Sequence, residues 1–321
     1  MTDSPERIPD FFVLGHPKSG TTALYEMLRR HPQVHMPDLK EPRYFAGDMY
    51  APMDAPKSAG LPQTLEQYLA LFADARPDQL TGEASPLYLS SHLAAGEIAE
   101  LAPRARMIAI LREPTSFLRS LHLQFVQSHI ETKNDLRSAI ALEEARREGK
   151  QIPDSSQFRP HVLFYSEHIR YVEQLRRYSA LFAPEQLLVM IYEDFRSDNE
   201  AAVKRVLRFL ELDDTVAVAG LEANPTVRVR SQQLDRLVHS VSVGRGPLTR
   251  AVKASVKALA PRRLRRRGLR AVQSRVVYAK PALPDEELTL ELRRRFRSEV
   301  EALSEYLDRD LITLWGYDRT V

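Results

Sequence analysis

Apolar residues along this chain follow two rhythms. Phe11-Phe12-Val13-Leu14, Met107-Ile108-Ala109-Ile110-Leu111 and Leu187 to Ile191 are short unbroken runs, the length and composition of buried strands. Val34-His35-Met36 reads as a shorter one. Between them the apolar positions recur at helical spacing. Leu24, Met27 and Leu28 mark one helix, Leu61, Leu65, Tyr68, Leu69 and Phe72 another, and Ser91 to Leu101 a third. Later helices are marked by Leu118, Leu121 and Phe125, by Ile169, Val172, Leu175, Tyr178, Leu181 and Phe182, and by Val203, Val206, Leu207 and Leu210. The last carries Leu288, Leu292, Phe296, Val300, Leu303 and Leu307 inward, with Asp285-Glu286-Glu287 acidic at its start and Trp315 beyond it as a core anchor. Buried strands alternating with helices predict an α/β fold: a central parallel sheet with helices on both faces.

Composition narrows the chemistry. The 321 residues are 43% hydrophobic, enough for a substantial core, and include no cysteine, which excludes disulfides, zinc–thiolate sites and a cysteine nucleophile. No apolar run approaches the ~18 residues of a membrane span, and Met1 to Asp10 lacks the order of a signal peptide. A soluble, cytoplasmic protein is expected. The net charge is only +3, but Arg262, Arg263, Arg265, Arg266, Arg267, Arg270 and Arg275 crowd a mostly helical segment at about 231–280. That run is a solvated face or a surface for peripheral contact with an anionic membrane. No aromatic residues are interleaved to stack bases, so no nucleic acid partner is expected.

The densest chemistry lies where the first run ends. Gly15-His16-Pro17-Lys18-Ser19-Gly20-Thr21-Thr22 turns through two glycines and a proline and enters the first helix. A helix start presents unpaired N–H groups and a positive dipole end, together an anion site. Lys18 adds a full charge; Ser19, Thr21 and Thr22 add hydroxyls. Gly15 and Gly20 have the spacing of the nucleotide-triphosphate loop G-x-x-x-x-G-K-[ST]. Here, though, Thr21 follows the second glycine and the lysine lies two residues before it. The plain alternative is an ordinary strand-to-helix turn.

Pro17-Lys18-Ser19-Gly20-Thr21-Thr22 resembles the 5′-phosphosulfate loop of sulfotransferases that use 3′-phosphoadenosine 5′-phosphosulfate (PAPS). Lys40-Glu41-Pro42-Arg43-Tyr44-Phe45 is similar to the segment that follows it in the heparan-sulfate type branch and in many bacterial relatives. The resemblance extends, more loosely, to Trp315. It implies one P-loop-like α/β domain over 1–321 and transfer of a sulfuryl group from PAPS to an acceptor hydroxyl on a small molecule, glycolipid or saccharide, with no metal. It implies that Lys18, Ser19, Gly20, Thr21 and Thr22 hold the donor's 5′ end, that Lys18 also stabilises the leaving oxygen, and that Glu41 is the base. Arg112 and Ser120, eight residues apart, would grip the 3′-phosphate, with Arg228 in a basic loop on the same side. One departure stands out. Gly82-Glu83-Ala84-Ser85-Pro86-Leu87-Tyr88 has alanine where the heparan-sulfate branch usually has a lysine after the glutamate. Ala84 therefore argues against a heparan-type acceptor and leaves Lys18 as the main cation. Phe117 stands where relatives often carry a basic residue and is expected to pack.

Read from the residues alone, several positions stay open. Glu41 is a proton acceptor or part of a surface ion cluster. Arg112 is a phosphate fork or a strand cap paired with Glu113. Glu83 and Ser85 face an acceptor or shape a turn. The charged stretch 131–160 is a lid over the acceptor or a solvated helix and loop. His122 and His129 read as polar helix-face residues. Glu193 and Asp194, at a strand end, suit a magnesium site or, as in the resembling family, a structural pair. The rival functions are a P-loop kinase using ATP and magnesium, which needs a lysine after Gly20, and a non-catalytic, membrane-associated nucleotide-binding protein.

Overall fold

A computed structural model describes residues 7–50, 60–153, 158–216 and 285–320, with the backbone of 228–229 and 278–279. The segment Arg262–Arg275 lies outside the described residues. Five strands form one all-parallel sheet: β1 (Phe11–Gly15), β2 (Val34–His35), β3 (Leu80–Ala84), β4 (Arg106–Leu111) and β5 (Leu187–Ile191), in the order β2-β3-β1-β4-β5. Alternation along each strand divides the core. Phe12, Leu14, Met107, Ala109 and Leu111 face one apolar cluster. Phe11, Val13, Ile108 and Ile110 face the other. Helices α1 (Thr21–Leu28), α8 (Tyr192–Ser197) and α9 (Asn199–Phe209) supply the second cluster. Helices α2 (Leu65–Leu69), α3 (Ala94–Leu101), α4 (Pro114–Gln127), α7 (Tyr171–Ser179) and the long α10 (Glu286–Tyr306) supply the first. Both faces are thus covered, which is why the strand sequences are continuously apolar.

Strand β3 departs from the sequence reading, which made 82–88 a turn. Leu80-Thr81-Gly82-Glu83-Ala84 has no apolar run, yet it pairs with β1 as Phe11↔Gly82, Phe12↔Glu83 and Val13↔Ala84. The Phe11 ring occupies the space a Gly82 side chain would take, so the aromatic buries both strands where periodicity shows nothing. The charged stretch after α4 is also not simply solvated. It forms short helices α5 (Leu136–Ala141) and α6 (Glu143–Arg147), tied down by an Arg146–Glu131 ion pair at 2.8 Å whose side chains are fully buried. Leu181 differs too: it is exposed, while Phe182 beside it is buried.

The strand order positions the site. From β1 the chain passes to β2 and β3 on one side of the sheet, then crosses to β4 on the other. The loops leaving β1 and β4 therefore diverge, and a crevice opens between their C-terminal ends. Such a switch point is where open α/β sheets take ligands.

Candidate functional site

A cleft of about 390 Å³ occupies that crevice and is lined by Pro17, Lys18, Gly20, Thr21, Thr22, Glu41, Arg43 and Arg112 among others. Its floor is the loop from β1 to α1. Gly20 is the residue before the helix, with φ 88°, and no side chain caps the helix start. A Cβ there would meet the Phe195 ring at 2.9 Å, so the tight turn and the close approach both require glycine. No acidic residue stands in the first turn of α1, and its first N–H groups have no intrahelical acceptor. The Ser19 hydroxyl is buried without a hydrogen-bond partner. Uncapped amides, an orphaned hydroxyl and Lys18 together make a cradle suited to a phosphate or sulfate. Burial lowers the Lys18 pKa, and Arg112 lowers it further, while Glu41 opposes both.

Arg112 crosses the crevice. Its Nη1 donates to the Lys18 carbonyl at 2.9 Å, and Nε and Nη2 donate to Ser116 Oγ at 3.0 and 2.6 Å. Its guanidinium lies 4.6 Å from the centre of the Tyr192 ring. Glu113, the sequence-level alternative partner, is engaged elsewhere. It caps α4, accepting from the Ser116 amide at 2.6 Å and the Thr115 hydroxyl at 2.7 Å. Ser116, one helical turn before Ser120, touches the Arg112 guanidinium, and Ser120 itself is buried along α4. Arg228 lies in a two-residue strand, β6 (Arg228–Val229), paired antiparallel with β7 (Tyr278–Ala279) beside α4. Phe117 packs as expected, fully buried, its ring centroid 4.9 Å from that of His16. Burial pushes His16 down to about 3, keeping the imidazole neutral; Gln174 meets its Nε2 at 2.6 Å.

Glu41 enters from the opposite rim. Lys40 Nζ donates to its Oε1 at 2.6 Å and Arg43 Nη2 to its Oε2 at 3.3 Å. Burial raises its pKa, but these two cations outweigh that and hold it below the usual carboxylate value. Glu41 and Arg43 both have positive φ, 61° and 64°. The strained segment is anchored from below: the Arg43 amide donates to Ser85 Oγ at 3.2 Å, and Ser85 donates to Glu83 Oε2 at 3.2 Å. Glu83 is 1% exposed. Burial pushes its pKa up to about 8 against the hydrogen bond from Ser85, and the negative charge of Glu41 pushes it further. Ser116 and Tyr192 escaped sequence reasoning, whereas Glu83 and Ser85 take the structural one of the two roles open to them. Ser116 had a signal, since it lies one turn after an arginine at a strand end. The acidic pair after β5 is structural: Glu193 Oε2 accepts from Trp315 Nε1 at 2.9 Å, and Asp194 is gripped by Arg309 at 2.5 and 2.8 Å. His122 is buried, bonded to the Tyr165 hydroxyl at 2.9 Å and the Asn134 carbonyl at 3.1 Å.

Residues 8–243 match the family model described as "Sulfotransferase domain". The chain is 24% identical to human carbohydrate sulfotransferase 15, with 64% of this chain and 44% of that protein covered. It is 30% identical to mouse bifunctional heparan sulfate N-deacetylase/N-sulfotransferase 4, with 64% and 22% covered. The match thus spans less than half the length of these curated relatives. Its fold matches the crystal structure of a sulfotransferase from Alicyclobacillus acidocaldarius with a TM-score of 0.65 at 22% identity, covering 97% of this chain and 99% of the other.

Proposed function

The chain belongs to the sulfotransferase domain family, and from that premise we propose that it moves a sulfuryl group from PAPS to an acceptor hydroxyl by in-line displacement. The observation that carries the reading is the bridge at the switch point. Arg112 is bonded to the backbone of the same loop that presents Lys18 and an uncapped helix start. Two anion sites on neighbouring strand ends suit a ligand with phosphates at both ends. The residues present fit such a donor: the orphaned Ser19 hydroxyl and the uncapped α1 amides can donate to an anion, and Lys18 stands in the same loop.

When bound, PAPS supplies the sulfuryl group and a bisphosphate leaving group. Ser19, Gly20, Thr21 and Thr22 would hold the 5′-phosphate through amides and hydroxyls. Lys18 would stabilise charge developing on the leaving oxygen. Arg112, with Ser116 and Ser120 on α4 and Arg228 beside that helix, would fix the 3′-phosphate and so align the sulfur for attack. Glu41, ionised at neutral pH, would accept the acceptor's proton. A kinase reading fails on its own requirement, because Thr21 occupies the position of the P-loop lysine.

Calorimetry without magnesium tests the reading. 3′-Phosphoadenosine 5′-phosphate should bind about 100-fold more tightly than ADP, the worth of one well-placed charged fork. Equal binding, or binding of ATP only with magnesium, would overturn it. Lys18→Ala should abolish transfer, and Glu41→Gln should lower kcat by about 100-fold or more with little change in bisphosphate affinity. An effect of Glu41→Gln confined to affinity would remove Glu41 from the base role.

A further inference from the structure

Glu41 stands on backbone that does not hold itself. Glu41 and Arg43 are both left-handed, at φ 61° and 64°, a conformation costly for any residue with a side chain. Pro42 between them has no N–H to anchor. The Arg43 amide is the next along the chain, and it donates to Ser85 Oγ at 3.2 Å. The Phe45 amide donates to the Tyr88 hydroxyl at 3.3 Å. Tyr44, between these two, stacks on Tyr68 with ring centroids 4.9 Å apart. Ser85, Tyr88 and Tyr68 are all buried. Ser85 directly follows β3, and β3 pairs with β1, whose end is the loop that presents Lys18. Neighbouring strand ends thus carry Lys18 and the support beneath Glu41.

Glu83 completes the support. A serine hydroxyl has one proton. Ser85 gives it to Glu83 Oε2 at 3.2 Å, which leaves the oxygen's lone pairs for the Arg43 amide. Burial keeps Glu83 mostly protonated at neutral pH, so the support sets no second full negative charge beside Glu41. Arg43 Nη2 in turn donates to Glu41 Oε2 at 3.3 Å, and its guanidinium lies 4.7 Å from the centre of the Tyr50 ring. Fixing the Arg43 backbone therefore fixes a cation that grips the Glu41 carboxylate. We propose that Ser85 and Glu83 are positioning residues for Glu41: Glu83 orients the Ser85 hydroxyl, Ser85 pins the Arg43 amide, and Arg43 holds the carboxylate in place in the cleft. This inference rests on the sulfotransferase reading above, in which Glu41 takes the acceptor's proton. A base must sit within hydrogen-bond reach of that proton, and a misplacement of about 1 Å costs about 100-fold in rate.

The charged and titratable groups facing Glu41 are Lys40 and Arg43 on its own segment, Lys18 on the donor loop, and Tyr50 and Glu83. Loosening Arg43 weakens one of the cations that lower the Glu41 pKa, so that pKa should rise. The test compares wild type with Ser85→Ala, each saturated with 3′-phosphoadenosine 5′-phosphate. Carbon NMR of glutamate-labelled protein follows the Glu41 carboxyl, identified by the loss of its signal in Glu41→Gln. Amide hydrogen exchange and calorimetric bisphosphate binding are measured beside it. In Ser85→Ala the Arg43 amide should exchange about tenfold faster or more and the Glu41 pKa should move up, while β1 exchange and bisphosphate affinity stay within about twofold. An unmoved Glu41 pKa, an unchanged Arg43 amide, or exchange quickened throughout β1 overturns the inference. If Ser85→Ala does not bind the bisphosphate, Ser85→Cys keeps the volume with a poor acceptor and is measured in its place. Loss of binding there too assigns Ser85 to the fold at large and overturns the inference as well. Wild-type kcat in Glu41→Gln is a different failure: it removes the base reading itself, and the positioning role with it.

Discussion

Two carboxylates near the site show how environment divides labour among identical groups. Glu41 is held ionised by two cations; Glu83 is held neutral by burial. Glu83 therefore destabilises the fold when it ionises. Its pKa rises from 4.5 to about 8 on folding, so the native state binds the extra proton across that window. Stability from Glu83 is full below pH 4.5 and drains as pH climbs toward 8, at about 1.4 kcal/mol per pH unit. Glu83→Gln keeps the shape and removes the titration. Urea unfolding at pH 5, 6.5 and 8 should show the wild type losing stability relative to this variant as pH rises; a constant gap would mean Glu83 does not titrate there. Arg112 makes a second residue-scale case. Its fork contacts the Lys18 carbonyl and Ser116 together, which a lysine's single ammonium does not reproduce. Arg112→Lys should weaken bisphosphate binding about 10- to 100-fold, measured by calorimetry, while a binding constant within twofold of wild type would place the 3′-phosphate elsewhere.

At the scale of elements, the junction of β1 and α1 was readable because glycine, proline, lysine and hydroxyl residues carry their roles in their side chains or lack of them. Gly20 sits at φ 88° with Phe195 against it. Gly20→Ala should cost about 1–2 kcal/mol from the backbone alone, with the aromatic clash added, and should remove the anion cradle. A thermal melt with and without bisphosphate checks both: the variant should melt lower, and its shift on adding ligand should vanish. An undiminished ligand shift would show that the loop tolerates the side chain and does not hold the anion. Strand β3 was unreadable for the opposite reason. Its stability comes from a ring on a neighbouring strand and from hydrogen-bonded polar groups, Glu83 and Ser85, which local pattern scores as turn. Ser116 was passed over likewise: the interval to Ser120 was taken from a resemblance, whereas contact with Arg112 depends on the rotation of α4 beneath it.

For the whole molecule, apolar periodicity carried the sheet and its covering helices, since strand and helix each bury a face the sequence must mark. What it leaves unmarked is the tie between the C-terminal residues and the site. Helix α11 (Leu311–Leu314) follows α10, and beyond it Trp315 donates to Glu193 and the Tyr317 hydroxyl to Glu113 at 3.2 Å. Glu193 Oε1 in turn accepts from the Glu113 amide at 3.4 Å, next to Arg112. The chain's single tryptophan is thus two contacts from the residue assigned to the 3′-phosphate. Trp315 and the inner face of β1 share one apolar cluster, while the outer face of β1 belongs to the other. If these form one cooperative unit, tryptophan emission and hydrogen exchange of the Phe11–Gly15 amides must report the same unfolding free energy. Bisphosphate at 100 times its dissociation constant must then raise both by about 2.7 kcal/mol. Emission that changes at lower denaturant than β1 exchange, or that ligand fails to protect, would mean that the C-terminal helices release first and that the site does not depend on them.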